Sequence, residues 1–234
     1  MASVVPTVRG PGSFERNLAP GDTVLLARSI TTISTVGNGT WTAAAMASGY
    51  IRRTGPTAAY ADFLDTGQNI LNYLRGNAPA PHTLVGLSLE FTVANTVAFL
   101  NTVSTNRGIV LGTQGGVLNI AASQSKDFLL TIQNDTPEQT IQGVATGNAT
   151  FTFTLPAGQS ALPMGSAPGS VNITPGMLIA AGGGTGAIGA GATVTSIKLG
   201  QGGVVGLVCS NNIAATITAV IVSPRLELNN IGLD

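Results

Sequence analysis

The sequence predicts an all-β protein: a sandwich or barrel-like β domain with one short helix, then a second small β domain, with an extended arm at the N-terminus. Apolar and polar residues alternate with a period of two in several segments, as in half-buried strands. Turn residues recur about every eight to twelve positions, a spacing typical of sandwiches and barrels. The chain has 234 residues, of which 44% are hydrophobic, enough for one large or two small cores.

Residues 1–22 predict the extended arm. They contain Pro6, Pro11 and Pro20 together with several glycines, and they show no helical or strand periodicity. Proline and glycine at this density interrupt regular structure. We expect the segment to lie along a neighbouring molecule or to extend into solvent.

Residues 23–141 form the first predicted domain. Strands are expected at 23–27, 30–36 and 50–53, and Asn38-Gly39 is a typical two-residue hairpin turn.

One segment of this domain has helical spacing. Ile70, Leu71 and Leu74 predict a helix over residues 66–75. We expect Asp65 to be the N-cap of this helix, with Gln68 completing a capping box, and Gly76 to follow its last turn.

From residue 84 onward the pattern is that of strands. Leu87, Leu89, Phe91 and Val93 alternate with polar residues and predict a strand with one buried face. The second predicted domain, residues 142–224, is rich in Gly, Ala and Thr and has strand patterns at 151–155, 177–180, 193–197, 204–209 and 217–222. A loop is expected at 159–169, and residues 225–234 are predicted to be a separate C-terminal tail.

Charge is the unusual property of this chain. Only 9% of the residues are charged and the net charge is zero, whereas an ordinary soluble domain has roughly 25% charged residues. A surface with few charges resists association poorly, so we expect much of it to be covered by copies of the chain or by a partner. No basic stripe indicates direct nucleic-acid binding. The pair Arg52-Arg53 is interpreted as part of a solvated turn or of a salt bridge between subunits.

One motif resembles a cofactor site. Residues 184–189 fit G-x-G-x-x-G, but glycine and β-branched residues follow where a dinucleotide site needs the start of a helix. No acidic residue lies about twenty positions further on. We therefore expect no cofactor.

The residues for catalysis or metal binding are also sparse. His82 is the single histidine and Cys209 the single cysteine, and Cys209 is expected to be a buried small apolar residue. Asp62 and Asp65 are the nearest approach to an acid–base pair, and we interpret them as scaffolding. The sequence thus predicts no catalytic residue, no metal ligand and no enzymatic activity.

The first residues lack the basic and apolar regions of a signal peptide. Glycine interrupts every apolar stretch before the roughly eighteen residues that a membrane span needs. We expect synthesis in a cytoplasm and no membrane association.

Two stretches resemble structural proteins of tailed-bacteriophage virions. Residues 49–66, GYIRRTGPTAAYADFLDT, are similar to an I-x-R-x-G-P … T-D-T … T-A pattern of capsid decoration (cement) proteins, with Ala61-Asp62-Phe63 where Thr-Asp-Thr is commoner. Residues 173–222 are similar to a P-G-M-x-V-x-G … G-T-x-V-T-x-I module of several phage structural proteins. Together the two stretches cover less than half of the chain.

This resemblance implies a decoration protein on the outer capsid surface, commonly a homotrimer, that binds the major capsid protein and stabilises the head. An alternative is a tail or head-fibre protein involved in host attachment. A depolymerase and the major shell protein itself are further alternatives, disfavoured by the missing carboxylate cluster and by the missing long helix. The arm, residues 1–22, is the expected capsid contact.

Overall fold

A computed structural model describes residues 29–77, 83–112, 118–145, 149–155 and 173–231, together with the backbone of residues 23–24. The predicted arm, residues 1–22, and the predicted loop, residues 159–169, lie outside the described residues. The prediction of an all-β fold is confirmed, because strands dominate the described elements and the two helices there are short.

The chain divides into two compact units. The first contains the described residues up to Asp135 and those from Leu226 onward, and the second contains Thr136–Arg225. The second unit is thus inserted in sequence between two parts of the first. It begins at residue 136 rather than at the predicted 142.

The first unit contains two sheets and two helices. Its strands are β1 Thr23–Val24, β2 Ser29–Ile33, β3 Gly39–Trp41, β4 Gly49–Arg53, β5 Tyr60–Leu64, β6 Ser88–Asn95, β7 Asn101–Ser104, β8 Ile109–Leu111, β9 Ser125–Asn134 and β17 Arg225–Asn230. Its helices are α1 Ala43–Ala47 and α2 Gly67–Asn77.

Three successive coils of parallel strands form the centre of this unit. Each coil contributes one strand to a large sheet of order β2-β4-β6-β9-β17-β8 and the next strand to a small sheet of order β3-β5-β7. The coils are β2 with β3, β4 with β5, and β6 with β7, and like strands pair in parallel. We call β2, the corner 34–38 and β3 the first coil.

The hairpin predicted at Asn38-Gly39 is therefore wrong. The strands on either side of it, β2 and β3, belong to different sheets and do not pair with each other. Asn38 instead accepts a hydrogen bond from the backbone N–H of Ala61, at 2.9 Å. Side-chain anchoring to the next coil replaces the cross-strand bonds of a hairpin.

An aromatic cluster forms part of the core between these elements. Trp41 lies against Phe91 and Phe128, with ring centroids 6.1 and 5.5 Å away. The buried faces of α2 and β6 join the same core through Ile70, Leu71, Leu89 and Val93, together with Leu87 just before β6. The strand and helix periodicities predicted from these residues are confirmed.

The helix has different ends from those predicted. Thr66, not Asp65, caps α2: its side chain accepts from the N–H of Asn69, and its carbonyl accepts from the N–H of Ile70. Asp65 instead accepts from the N–H of Ala43, in the first turn of α1. The helix includes Gly76 and continues to Asn77. Because the Asp65 carboxylate binds the first turn of α1, the adjacent Thr66 caps α2.

The C-terminal segment is a strand, not a separate tail. β17 lies between β9 and β8 in the large sheet and pairs in parallel with β8. Leu226 and Leu228 of β17 are completely buried. These two apolar residues on one face explain why the segment returns to the first unit.

The second unit consists of two antiparallel sheets. Its strands are β10 Gln139–Gln142, β11 Val144–Ala145, β12 Thr150–Thr154, β13 Leu178–Gly184, β14 Val194–Leu199, β15 Val204–Cys209 and β16 Ile217–Ser223. The sheet orders are β10-β16-β13 and β11-β12-β15-β14. Phe151, Met177, Val205, Leu207 and Val220 are among its buried residues.

Among the described residues, no helix is long and apolar enough to cross a bilayer.

Candidate interaction surface

A buried ion pair supports the first coil from the second. Arg53 and Asp62 are both completely buried, and Arg53 Nε lies 2.8 Å from Asp62 Oδ2. The Nε–H is not aligned for a hydrogen bond, so this contact is an ion pair only. The interpretation of Arg53 as part of a solvated turn or a subunit salt bridge is wrong. Since side chains alternate along β4, Arg52 is exposed while Arg53 points inward.

The guanidinium of Arg53 holds the corner of the first coil. Its two terminal nitrogens donate to the carbonyls of Ile33 and Gly37, at 2.9 and 2.8 Å, and to the hydroxyl of Thr35, at 3.0 Å. Three acceptors in a tight corner suit the fixed fork of donors that arginine provides. The corner between the two sheets is therefore built around one cation.

The carboxylate of Asp62 holds the strand that follows the corner. It accepts from the N–H of Gly39 and from the indole N–H of Trp41, at 2.9 and 3.0 Å. A third donor is the amide of Asn101, at 3.0 Å. A Cβ on residue 39 would lie 2.9 Å from Asp62 Oδ1, so glycine is required there. Asp62 and Asp65 thus each bind structural donors and form no acid–base pair.

A second polar layer continues from this pair. Tyr60 donates its hydroxyl to Asn95 Oδ1 at 2.9 Å, and the Arg53 guanidinium carbon lies 4.9 Å from the centre of the Tyr60 ring. Burial and the nearby Asp62 carboxylate raise the pKa of Tyr60 to about 12, against a smaller opposing effect of Arg53. The carbonyl oxygen of the Asn101 side chain is buried and has no hydrogen-bond partner among the described residues.

The surface that this network supports is the first coil itself. β2 and β3 are the end strands of their sheets, so each has a single strand neighbour among the described residues. No charged residue occurs between Arg28 and Arg52. Ile30 on β2 and Val36 at the corner are each 66% exposed. Edges of natural sheets are usually protected by charge, proline or a covering element. The first coil contains no charged residue.

The glycine motif does not form a dinucleotide site. Gly184 ends β13 with φ +89°, and the chain runs on through a bridge between Ile188 and Ile213 into β14. No helix begins at residues 184–189, so no helix N-terminus faces a ligand there.

Of the single cysteine and the single histidine, the cysteine lies in the described part of the chain. Cys209 is buried, as predicted, and burial raises the pKa of its thiol to about 11, which keeps it protonated at neutral pH. His82 lies outside the described residues. Within the described ranges, no three His, Cys, Asp or Glu side chains lie close enough to hold a metal ion.

The sequence contains one signal that points to the first coil, the long interval without charge before Arg52. The anchoring pair has no comparable signal, since nothing in the sequence indicates that Arg53 faces Asp62 across the unit.

Comparison with known proteins adds no relative: no family model, curated protein or solved structure matches this chain.

Proposed function

We propose that this chain is a virion structural protein that decorates the outer surface of a phage head. It assembles as a homotrimer, binds the major capsid protein and stabilises the shell. It needs no cofactor, has no enzymatic activity, and binds neither nucleic acid nor membrane directly. It is made in the host cytoplasm and resides on the virion.

The observation that carries the proposal is the first coil, whose strands β2 and β3 each have one edge without a strand neighbour among the described residues. The first coil supplies an edge strand to each of two sheets, and it contains no charged residue that would oppose the approach of another strand. An extended segment of a partner can add to such an edge through backbone hydrogen bonds. The exposed Ile30 and Val36 supply apolar contact beside the edge.

Rigidity supports this use of the coil. The corner has no regular secondary structure, yet it is held in place: Arg53 donates to the carbonyls of Ile33 and Gly37, and Asp62 accepts from the N–H of Gly39. A fixed edge lowers the entropic cost of docking. Repetition over a shell then multiplies modest contacts into strong attachment.

A sedimentation experiment tests the contact. Heads are prepared from the virus genome that encodes the chain, with its coding sequence deleted, and mixed with purified protein. We expect the unaltered chain to sediment with the heads and to protect them against heat and low salt. Failure of the chain to bind heads, or unchanged head stability, contradicts decoration. Binding to tails or fibres instead supports the attachment alternative.

Two matched substitutions locate the contact on the chain. Thr32→Lys places a charge on the edge strand β2, and we expect it to reduce head binding at least tenfold. Thr140→Lys makes the same change at an exposed position of β10, an edge strand of the second unit, and should bind normally. Equal binding by the two variants contradicts a role for the first coil. Deletion of residues 1–22 tests the arm, and we expect it to prevent incorporation while leaving the trimer folded.

A further inference from the structure

A cleft opens on the face of the large sheet opposite the buried Ile51 and Val93. Its volume is about 320 Å³. Six residues form its walls: Tyr50, Ala94, Thr96, Ser123, Gln124 and Ser125. Tyr50 lies on β4 and Ala94 on β6, Thr96 follows β6, Ser123 and Gln124 form the turn before β9, and Ser125 begins β9.

The floor of the cleft is held rigidly. Asn95, almost completely buried, accepts from the hydroxyl of Tyr60 and donates its amide to the carbonyls of Phe99, Ile120 and Ala121. Its backbone N–H donates to the carbonyl of Gln124 at 2.8 Å. Through its side chain and its backbone, Asn95 therefore ties β6 to the turn that forms the opposite wall.

That turn contains a strained residue. Ser123 has φ +57°, and it is the one non-glycine residue with positive φ among those described. Such backbone conformations persist where the surrounding structure enforces them, and they concentrate at binding sites. Its N–H donates to the carbonyl of Val97, which fixes the turn in this conformation.

The groups that face solvent in the cleft are neutral. Ser123, Gln124 and Ser125 are exposed, and within the described part of the chain no hydrogen bond uses their side chains. Tyr50 lines the cleft and is half-buried. Because side chains alternate along β4, its ring lies on the same face as the exposed Arg52. Donors and acceptors for a polar ligand thus stand next to a flat apolar face.

One charge of each sign flanks the cleft. Arg52 of β4 pairs in register with Ala94 of β6. Asp127 of β9 pairs in register with Thr92, which lies two residues before Ala94 on the same face of β6. A single cation is a weak basis for binding phosphate, which proteins usually hold with several donors. Alternating neutral, cationic and anionic groups instead suit hydroxyls, which both donate and accept.

We propose that this cleft binds a neutral saccharide, one or two sugar rings in size. The ring of Tyr50 would pack against the apolar face of a pyranose, and Gln124, Ser123 and Ser125 would bind its hydroxyls. The volume is at the lower end of the range for small-molecule sites, which matches a short glycan terminus. The inference goes beyond head decoration and does not depend on it.

The test uses the full chain and a panel of neutral mono- and disaccharides, followed by a glycan array. Binding is measured by saturation-transfer NMR and titration calorimetry. We expect saturable binding of at least one neutral sugar. Tyr50→Ala should weaken that binding at least tenfold, and Gln124→Ala several-fold. Gln142→Ala, at an exposed position of the second unit, should leave it unchanged.

Gln124 is exposed, so loss of folding does not account for a defect of its variant, and thermal unfolding of each variant checks this directly. Absence of saturable binding to every neutral sugar overturns the inference, as does binding that neither Tyr50→Ala nor Gln124→Ala weakens. Tyr50 pairs in register with Ile30 of the first coil, whereas Gln124 lies in the turn before β9, so sedimentation of Gln124→Ala with heads separates this site from the decoration contact.

Discussion

Arg53 contributes two terminal nitrogens to three hydrogen bonds at the corner of the first coil, and its Nε lies 2.8 Å from the carboxylate of Asp62. No solvent reaches either side chain. A charge in such a position is tolerated only because its partner and its acceptors are all in place. The corner and the ion pair therefore depend on each other.

Replacement of Arg53 by Met tests this dependence. The substitution leaves a buried carboxylate without its cation and leaves the corner carbonyls without donors. Loss of one member of a buried pair costs about 3–5 kcal/mol of unfolding free energy. Trp41, the one tryptophan, lies in the core of the first unit and donates to Asp62, so its fluorescence during urea unfolding reports the change.

The adjacent Arg52→Met variant is the control for Arg53→Met, since Arg52 is exposed on the opposite face of the same strand. We expect it to change stability by less than about 0.5 kcal/mol. Equal effects of the two substitutions would mean that the pair contributes nothing specific.

Tyr60 provides a pH test of the same network. Its pKa in the folded protein is about 12, above the ordinary 10.0. The folded state therefore holds the phenol proton more tightly than the unfolded state does. This stabilisation is fully present below pH 10 and is lost as the pH rises from 10 to 12, by up to about 1.4 kcal/mol per pH unit.

Urea unfolding of the unaltered chain and of Tyr60→Phe between pH 9 and pH 12 measures this effect. We expect the unaltered chain to lose stability more steeply than the variant over the upper two pH units. Parallel pH profiles would show that the phenol ionises equally well in both states.

At the scale of single elements, α2 depends on its cap. The side chain of Thr66 accepts from the N–H of Asn69, and helix N-termini lose about 0.5–2 kcal/mol when such an acceptor is removed. Thr66→Ala should lower the unfolding free energy of the first unit by about 1 kcal/mol, measured by Trp41 fluorescence. Thr57→Ala, at an exposed position without a side-chain hydrogen bond among the described residues, should have no measurable effect.

At the scale of the whole molecule, the first unit is made from two distant parts of the chain. β17 fills the position between β9 and β8 and buries Leu226 and Leu228. Removing a buried leucine side chain lowers the free energy of unfolding by about 2–5 kcal/mol. The stability of the first unit therefore depends on a segment that follows the whole second unit in sequence.

Truncation after Pro224 removes this strand. We expect the first unit to lose at least about 4 kcal/mol or to unfold, with Trp41 exposed to solvent and cut rapidly by protease. Truncation after Ile231 keeps β17 and should behave like the complete chain. An intact fluorescence transition in the shorter form would show that β17 is dispensable.

Alternation of apolar and polar residues identified β6 and β12 as strands, strand patterns at 204–209 and 217–222 identified β15 and β16, and the spacing of Ile70, Leu71 and Leu74 identified α2. These signals are local, because burial on one face repeats every two residues in a strand and about every 3.6 in a helix. The charge-free interval before Arg52 and the buried Cys209 are likewise visible in the sequence.

The pairing of the strands was not visible. Asn38-Gly39 has the composition of a hairpin, but parallel coils between two sheets carry the chain in another direction at that point. The cap of α2 and the strand character of residues 225–230 also depend on partners far away in sequence. The cleft at Tyr50 exists only because β4, β6 and the turn at Ser123 converge.

The sequence by itself determined that this protein is a β protein with few charged residues and one helix of more than two turns. Charge content follows directly from composition, and periodicity is a property of residues close together in the chain. Only the tertiary structure decided that Arg53 is buried against Asp62, that β2 and β3 are edge strands among the described residues, and that residues 225–230 form a strand of the first unit. Those features arise from contacts between distant segments, whose choice of partner the local pattern leaves open.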